Sequence, residues 1–220
     1  TYPKEGRLDF VAYYPYNSSV SDYKYQIDVS DQSNHSAIDL LYSDNAKNAS
    51  IGDNRVDLVF KHMLSQLVIN VEIGDGVNNL NGLSAKVERM KVDGEMTLAD
   101  GVVTTGSKEE DITPVIDNKG NQATLTSIVI PGQNLNSVKV VFKLNGKVFE
   151  WTPESQELES GKKYSYKMQL STTGIAILNP TASIEDWEEG YTGTDDIVLV
   201  PDYEGETPSE GMELLFSGSD

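Results

Sequence analysis

Apolar residues in this chain recur at every second position, in short runs divided by Gly, Asn, Asp and Pro, and no stretch sustains a period of 3.6 residues. Side chains of a strand alternate between its two faces, so this pattern confines the chain to β-sheets with a buried side and leaves no room for a helix-based fold. Leu8 to Tyr14 and Tyr23 to Val29 come first, and further strands are expected at 85–92, 95–98, 102–105, 124–130, 138–144, 147–152, 163–170 and 175–178. That spacing is the one expected of an all-β sandwich. The clearest pair is VKVVFKLNGKVFEW, where Asn145-Gly146 supplies the two positive backbone dihedrals of a type I′ hairpin turn.

The run from Val56 to Ile73 carries more information than its composition. Val56, Leu58, Phe60, His62 and Leu64 share one parity, and Leu67, Ile69, Val71 and Ile73 share the other. One extra residue in a strand moves every later side chain to the opposite face, so a bulge or corner is expected near Ser65-Gln66 in one long strand that serves both sheets of a sandwich. The preceding stretch, residues 30–54, is rich in Ser, Asn and Asp and reads as a loop enclosing a short strand or helical turn at AIDLLY. A domain boundary is expected between Ser43 and Arg55.

Length and charge narrow the classes of function. A chain of 220 residues can bury a sizeable core and suits two small domains. No apolar run approaches the ~20 residues that span a bilayer, and the start lacks the layout of a signal peptide. The chain opens without Met, almost directly on a strand, which suggests that upstream sequence was processed, trimmed or left out. With no cysteine there is no disulfide, thiolate metal site or cysteine nucleophile. The net charge of -18 argues against a nucleic-acid partner, which needs clustered Lys and Arg. Charge is also uneven: after Lys167 there is no basic residue, while 12 of the 35 acids lie there.

No constellation points to catalysis. The two histidines, His35 and His62, are far apart and have no Asp or Glu at metal-ligand spacing. There is no nucleophile elbow, glycine-rich phosphate loop or H-E-x-x-H. DNKGN at Asp117 to Asn121 lacks the downstream Glu of a calcium loop. Glu109-Glu110 and Glu188-Glu189 are neighbours in sequence and would point to opposite sides of a strand, as solvent charges. No cofactor is expected, and the chain is not expected to be an enzyme.

Four segments taken in order resemble the fimbrillin-like family of Bacteroides-type bacteria: YPKEGRLDFVAYYPY (Tyr2 to Tyr16), VDLVFKHMLSQLVINVEI with Phe60, His62, Leu64 and Ser65, LESGKKYSYKMQLSTTGI with Gly161, Tyr164 and Tyr166, and ASIEDWEEG with Ile184 and Trp187. The resemblance covers about residues 2 to 190. It implies two transthyretin-like Greek-key β-sandwich domains, here 1–54 as an incomplete N-terminal domain and 55–190 as the C-terminal one, followed by an acidic tail at 191–220. It further implies a lipoprotein precursor anchored to the outer membrane only through its lipid, proteolytic removal of an N-terminal segment, and assembly by strand donation. The chain departs from the family pattern in its short N-terminal part and in lacking the lipid-bearing cysteine.

The tail suits donation. DIVLVPDY offers Ile197 and Leu199 on one face with Val198 and Val200 opposite, and GMELLFSGSD offers Met212, Leu214 and Phe216. An acidic spacer separates the two. The leading expectation is a structural or accessory subunit of a cell-surface fimbria (pilus) that polymerises with like or unlike subunits and supports adhesion, with a host glycan or protein receptor as a further partner. The alternative is a monomeric surface lipoprotein that binds host or dietary glycans through Tyr13, Tyr14, Tyr16, Tyr23 and Tyr25. A tail folded back into its own sandwich, with every sheet margin occupied, would favour the solitary module.

Overall fold

A computed structural model describes residues 6–18, 20–50, 56–187 and 213–217. Its strands are β1 (Leu8–Tyr14), β2 (Lys24–Asp28), β3 (Leu41–Ala49), β4 (Lys61–His62), β5 (Ser65–Ile73), β6 (Ser84–Lys91), β7 (Asp93–Thr97), β8 (Val103–Thr105), β9 (Glu109–Ile112), β10 (Val115–Asn118), β11 (Gln122–Val129), β12 (Lys139–Leu144), β13 (Lys147–Trp151), β14 (Lys162–Ser171), β15 (Gly174–Asp186) and β16 (Glu213–Ser217). One short helix, α1 (His35–Ile38), and a 3₁₀ turn at Leu135–Ser137 complete the described elements. The fold is all-β, as the alternation predicts.

Two sheets carry the main sandwich. The first runs β10-β11-β5-β14-β15 and the second β13-β12-β6-β9. At the centre of the first, β5 is antiparallel to β11 and parallel to β14. Leu67, Ile69 and Val71 from β5, with Tyr164, Tyr166, Met168 and Leu170 from β14, are buried in the same core as Val87, Val140 and Phe142 of the other sheet. The hairpin expected at Asn145-Gly146 joins β12 to β13, with φ of 50° and 76° at the two turn residues and Leu144 opposite Lys147.

The change of parity in the 56–73 run turns out to be a change of sheet. The strand does not begin at Val56: residues 56–60 lie outside any ladder, β4 pairs with β3 at Lys61–His62, and the chain breaks step at Met63-Leu64 before entering β5. Instead of one bulged strand there are two strands in two sheets. The crossing is pinned, because Gly161 N–H donates to the Leu64 carbonyl at 2.9 Å and the Ser65 hydroxyl donates to the Glu159 carbonyl at 2.8 Å. Leu64 itself is fully buried between the sheets.

The stretch read as a loop contains a nine-residue strand, β3, as well as α1. β3 pairs with β1, and the register shifts twice, between Leu8/Phe10 and between Phe10/Ala12. Its inward residues are Tyr42, Ser43, Ala46 and Ala49, a spacing that breaks simple alternation, and most of the rest are polar. Bulges and small side chains together hide it from a period-two reading. The acidic β9 and the short β10 likewise carry no alternating apolar face long enough to mark a strand.

The N-terminal strands join the common core. β2 pairs with β7, which pairs with β8, and Tyr25 and Ile27 of β2 and Tyr13 of β1 lie in the same apolar cluster as the sandwich. Gln32, buried beside α1, donates to the carbonyls of Val29 and Ile128 and accepts from the Ile128 N–H, closing the gap between the segments. Among the described residues no helix is long and apolar enough to cross a membrane.

Candidate assembly surface

A fourth sheet, in the order β16-β1-β3-β4, brings the two ends of the described chain together. β16 is antiparallel to β1, with Asp9 opposite Ser217, Phe10 opposite Phe216, Ala12 opposite Leu214 and Tyr13 opposite Glu213. The second donor candidate therefore reaches its strand position at Leu214 and Phe216 within the same chain. Met212 and the first candidate, Ile197, Val198, Leu199 and Val200, lie outside the described residues. No described strand pairs with the outer edge of β16, nor with the outer edges of β4, β10 and β15. A strand held on one side only, at a sheet margin, keeps a row of backbone donors and acceptors on its other side.

The motif residues converge on the joint between this sheet and the main sandwich. His62 Nδ1 lies 2.7 Å from Asp39 Oδ1, and its ring stacks on Trp187 with centroids 3.9 Å apart and planes 4° from parallel. Trp187 N–H donates to the Gly161 carbonyl at 2.8 Å, and Gly161 in turn donates to Leu64. Gly161 has φ +70°, and a Cβ there would sit 3.1 Å from the His62 carbonyl oxygen, so the position needs glycine for both its conformation and its close approach. The Tyr164 hydroxyl accepts from Glu159 N–H at 2.7 Å and donates to the Glu157 carbonyl at 3.2 Å, holding the loop that carries Gly161. Tyr166 packs edge-on against Trp151, and burial pushes its phenol up to about 12. Phe60 is half-buried ahead of β4, and Ile184, opposite Tyr164 on β15, faces solvent. The structure thus gathers His62, Leu64, Gly161, Tyr164 and Trp187 and leaves Phe60 and Ile184 apart.

Asp39 is the member of this joint that the sequence pattern hides. It precedes β3, while His62 ends β4, and only the pairing of Leu41 with His62 brings them side by side. The same carboxylate faces His35, whose pKa is lowered by burial and partly restored by the Asp39 charge. The DNKGN segment is a hairpin turn between β10 and β11: Asn118 Oδ1 accepts from Gly120 N–H at 2.8 Å, and Lys119 pairs with Asp117. Among the described residues no group of three or more His, Cys, Asp or Glu could hold a metal ion.

The comparisons with known proteins agree with one another. The sequence profile of the fimbrillin-like family matches residues 1–187. A Bacteroides uniformis protein described as a candidate fimbrium subunit, Fim1C, is 30% identical over 200 residues, which is 84% of this chain and 63% of that protein, so the chain spans less than two thirds of this relative's length. A crystal structure of a candidate cell adhesion protein from Bacteroides uniformis superposes with a TM-score of 0.73 at 25% identity, covering 85% of this chain and 76% of the other. A second candidate cell adhesion protein, from Bacteroides ovatus, shares the fold with a TM-score of 0.68 at 21% identity, covering 84% of this chain and 70% of that one. With 187 of 220 positions inside the family profile, the chain belongs to the fimbrillin-like family.

Proposed function

We propose that the protein is a structural or accessory subunit of a cell-surface fimbria, assembled by strand donation and supporting adhesion. The observation that carries this reading is β16, a tail strand seated at the margin of a sheet beside β1 and separated in sequence from the rest of the fold by residues 188–212. A strand of this kind makes the same backbone pairs whether it comes from its own chain or from a neighbour, so exchange between copies costs little beyond the loss of an intramolecular closure. If a donated segment buried ~300 Å² of apolar area, the transfer term would be about 7 kcal/mol at ~25 cal/mol per Å² before ordering costs. Such a contact would be long-lived. The acidic spacer would slow casual association of free subunits through like-charge repulsion. Family membership supports placement at the cell surface among other fimbrial subunits, with attachment to the outer membrane through a lipid on the precursor.

The test uses the register. The sequence contains no cysteine, so Ala12→Cys with Leu214→Cys creates one possible disulfide across a single cross-strand pair. A tail seated on its own β1 yields an intrachain bond, whereas a donated tail yields covalent ladders on non-reducing SDS gels. Ladders in protein collected from the cell surface, absent when either cysteine is introduced alone, are the expected result. Solely intrachain bonds in surface material would mean a solitary module.

A further inference from the structure

The five tyrosines between positions 13 and 25 divide into a buried pair and three exposed rings. Tyr13 and Tyr25 are buried and meet edge-on with centroids 5.4 Å apart. Tyr42 lies opposite Tyr13 across the β1–β3 pair and donates its hydroxyl to the Leu98 carbonyl. Leu98 N–H donates in turn to the carbonyl of Tyr23. The hydroxyl of Tyr25 is hydrogen-bonded to the Asn17 side chain, which brings the segment after β1 against the start of β2. Outside this base, Tyr14 is 36% exposed, Tyr16 48% and Tyr23 59%. Three phenol rings that flank this buried base in sequence are therefore open to solvent.

Tyr23 occupies that position at a cost. It follows Asp22 in a tight turn closed by Lys24 N–H to the Ser21 carbonyl, and both turn residues are left-handed, with φ of 51° and 58°. Asn or Gly satisfies such a turn without strain, and a bulky aromatic residue is the poor choice there. A ring that is both strained and exposed contributes nothing to the core, which points to a contact outside the chain.

We propose that these exposed rings bind neutral carbohydrate, with pyranose rings laid against Tyr16 and Tyr23. A pyranose has an apolar C–H face and a rim of hydroxyls, and an exposed tyrosine offers a flat apolar ring with a hydroxyl at its tip. The charge around the rings selects against acidic sugars. Asp22 lies in the turn and Asp44 and Asp100 lie near Tyr42, against Lys61 opposite Tyr42 and Lys24, which is tied to Glu95 at 2.6 Å, so the local balance is acidic. A sialylated or sulphated glycan would meet like charge. This deepens the adhesive part of the proposed function and is independent of strand donation.

The test is a glycan array followed by titration of the full chain with a bound neutral oligosaccharide. Single-site binding in the range of about 1 mM is expected for so shallow a surface. Tyr16→Ala with Tyr23→Ala should weaken it on the order of tenfold or more, while Val148→Ala, at an exposed position on β13, should not. Tyr23→Gly should lose binding while melting at the same or a higher temperature, which separates a recognition role from a structural one. Binding that survives the double substitution, preference for acidic glycans, absence of any neutral ligand, or retention of only a protein partner on these rings would overturn the proposal. Deleting residues 195–220 should leave it intact, so failure of sugar binding and failure of assembly can be told apart.

Discussion

The sandwich centred on β5 and the sheet built on β1 are held together by different means. In the first, large side chains from both sheets interlock with almost no exposure, and this shared core tolerates two register shifts in the β14–β15 hairpin beside the regular β12–β13 one. In the second, Phe10, Ala46 and Ala49 form a small separate cluster covered by Leu8, Val56 and Leu58, the β1–β3 ladder shifts register twice, and a tail strand completes the margin. The sandwich supplies most of the shared core, to which Tyr13, Tyr25 and Tyr42 add from the N-terminal strands. The β1 sheet takes its marginal strand from far away in sequence, and the proposed strand donation would exploit that arrangement.

The contrast can be broken by truncating one aromatic residue in each region. Phe142, fully buried in β12, should cost about 3–5 kcal/mol on replacement by Ala, seen as a large fall in the denaturation midpoint of the whole molecule. Phe10→Ala should cost less, about 2 kcal/mol, because the small cluster around it can relax. Amide exchange would locate the damage: Phe10→Ala should speed exchange in β1 and β3 and leave β5 and β14 protected. Equal loss of protection in both regions would show that the two sheets unfold as one unit.

The same contrast explains what the sequence reveals. Alternation and turn chemistry mark β6, β11, β12, β13 and β14, because their inward positions are filled by Val, Leu, Ile, Phe and Tyr and their partners are nearby or strongly patterned. β3 escapes the same reading because Ser43, Ala46 and Ala49 are too small and too irregularly spaced to register as an apolar face. The sheet switch at Met63-Leu64 leaves a visible mark as lost parity, but a bulge and a change of sheet produce the same mark. Of the joint around His62, the residues on the motif positions stand out in the sequence, whereas Asp39 depends on long-range pairing that no local pattern encodes.

Gly161→Ala probes the joint between the two regions and should have an intermediate effect. The left-handed backbone costs about 1–2 kcal/mol for any residue with a Cβ, and the new methyl would press on the His62 carbonyl. Because Trp187 N–H is anchored to the Gly161 carbonyl, the stacking of Trp187 on His62 should loosen as well, shifting tryptophan emission in the folded protein. A stable variant with unchanged emission would show that the joint tolerates displacement and that the glycine is not required there.

The smallest effect is expected from pH, through His35. Burial holds its folded-state pKa below the ordinary value of 6.5, and the Asp39 charge only partly offsets this. Above that value both folded and unfolded chains carry a neutral ring, so the full stability is present. As pH falls below it, the unfolded chain takes up a proton that the folded chain resists, and stability declines until the folded-state pKa is reached. His35→Gln keeps a polar partner for the buried Gln32 and removes the titration. Melting temperatures of wild type and variant should therefore converge as pH is lowered from 7 toward 5, with the wild type losing more. Parallel slopes for the two proteins across this interval would place the pH sensitivity elsewhere and would mean that α1 is looser against β11 than the buried Gln32 bonds imply.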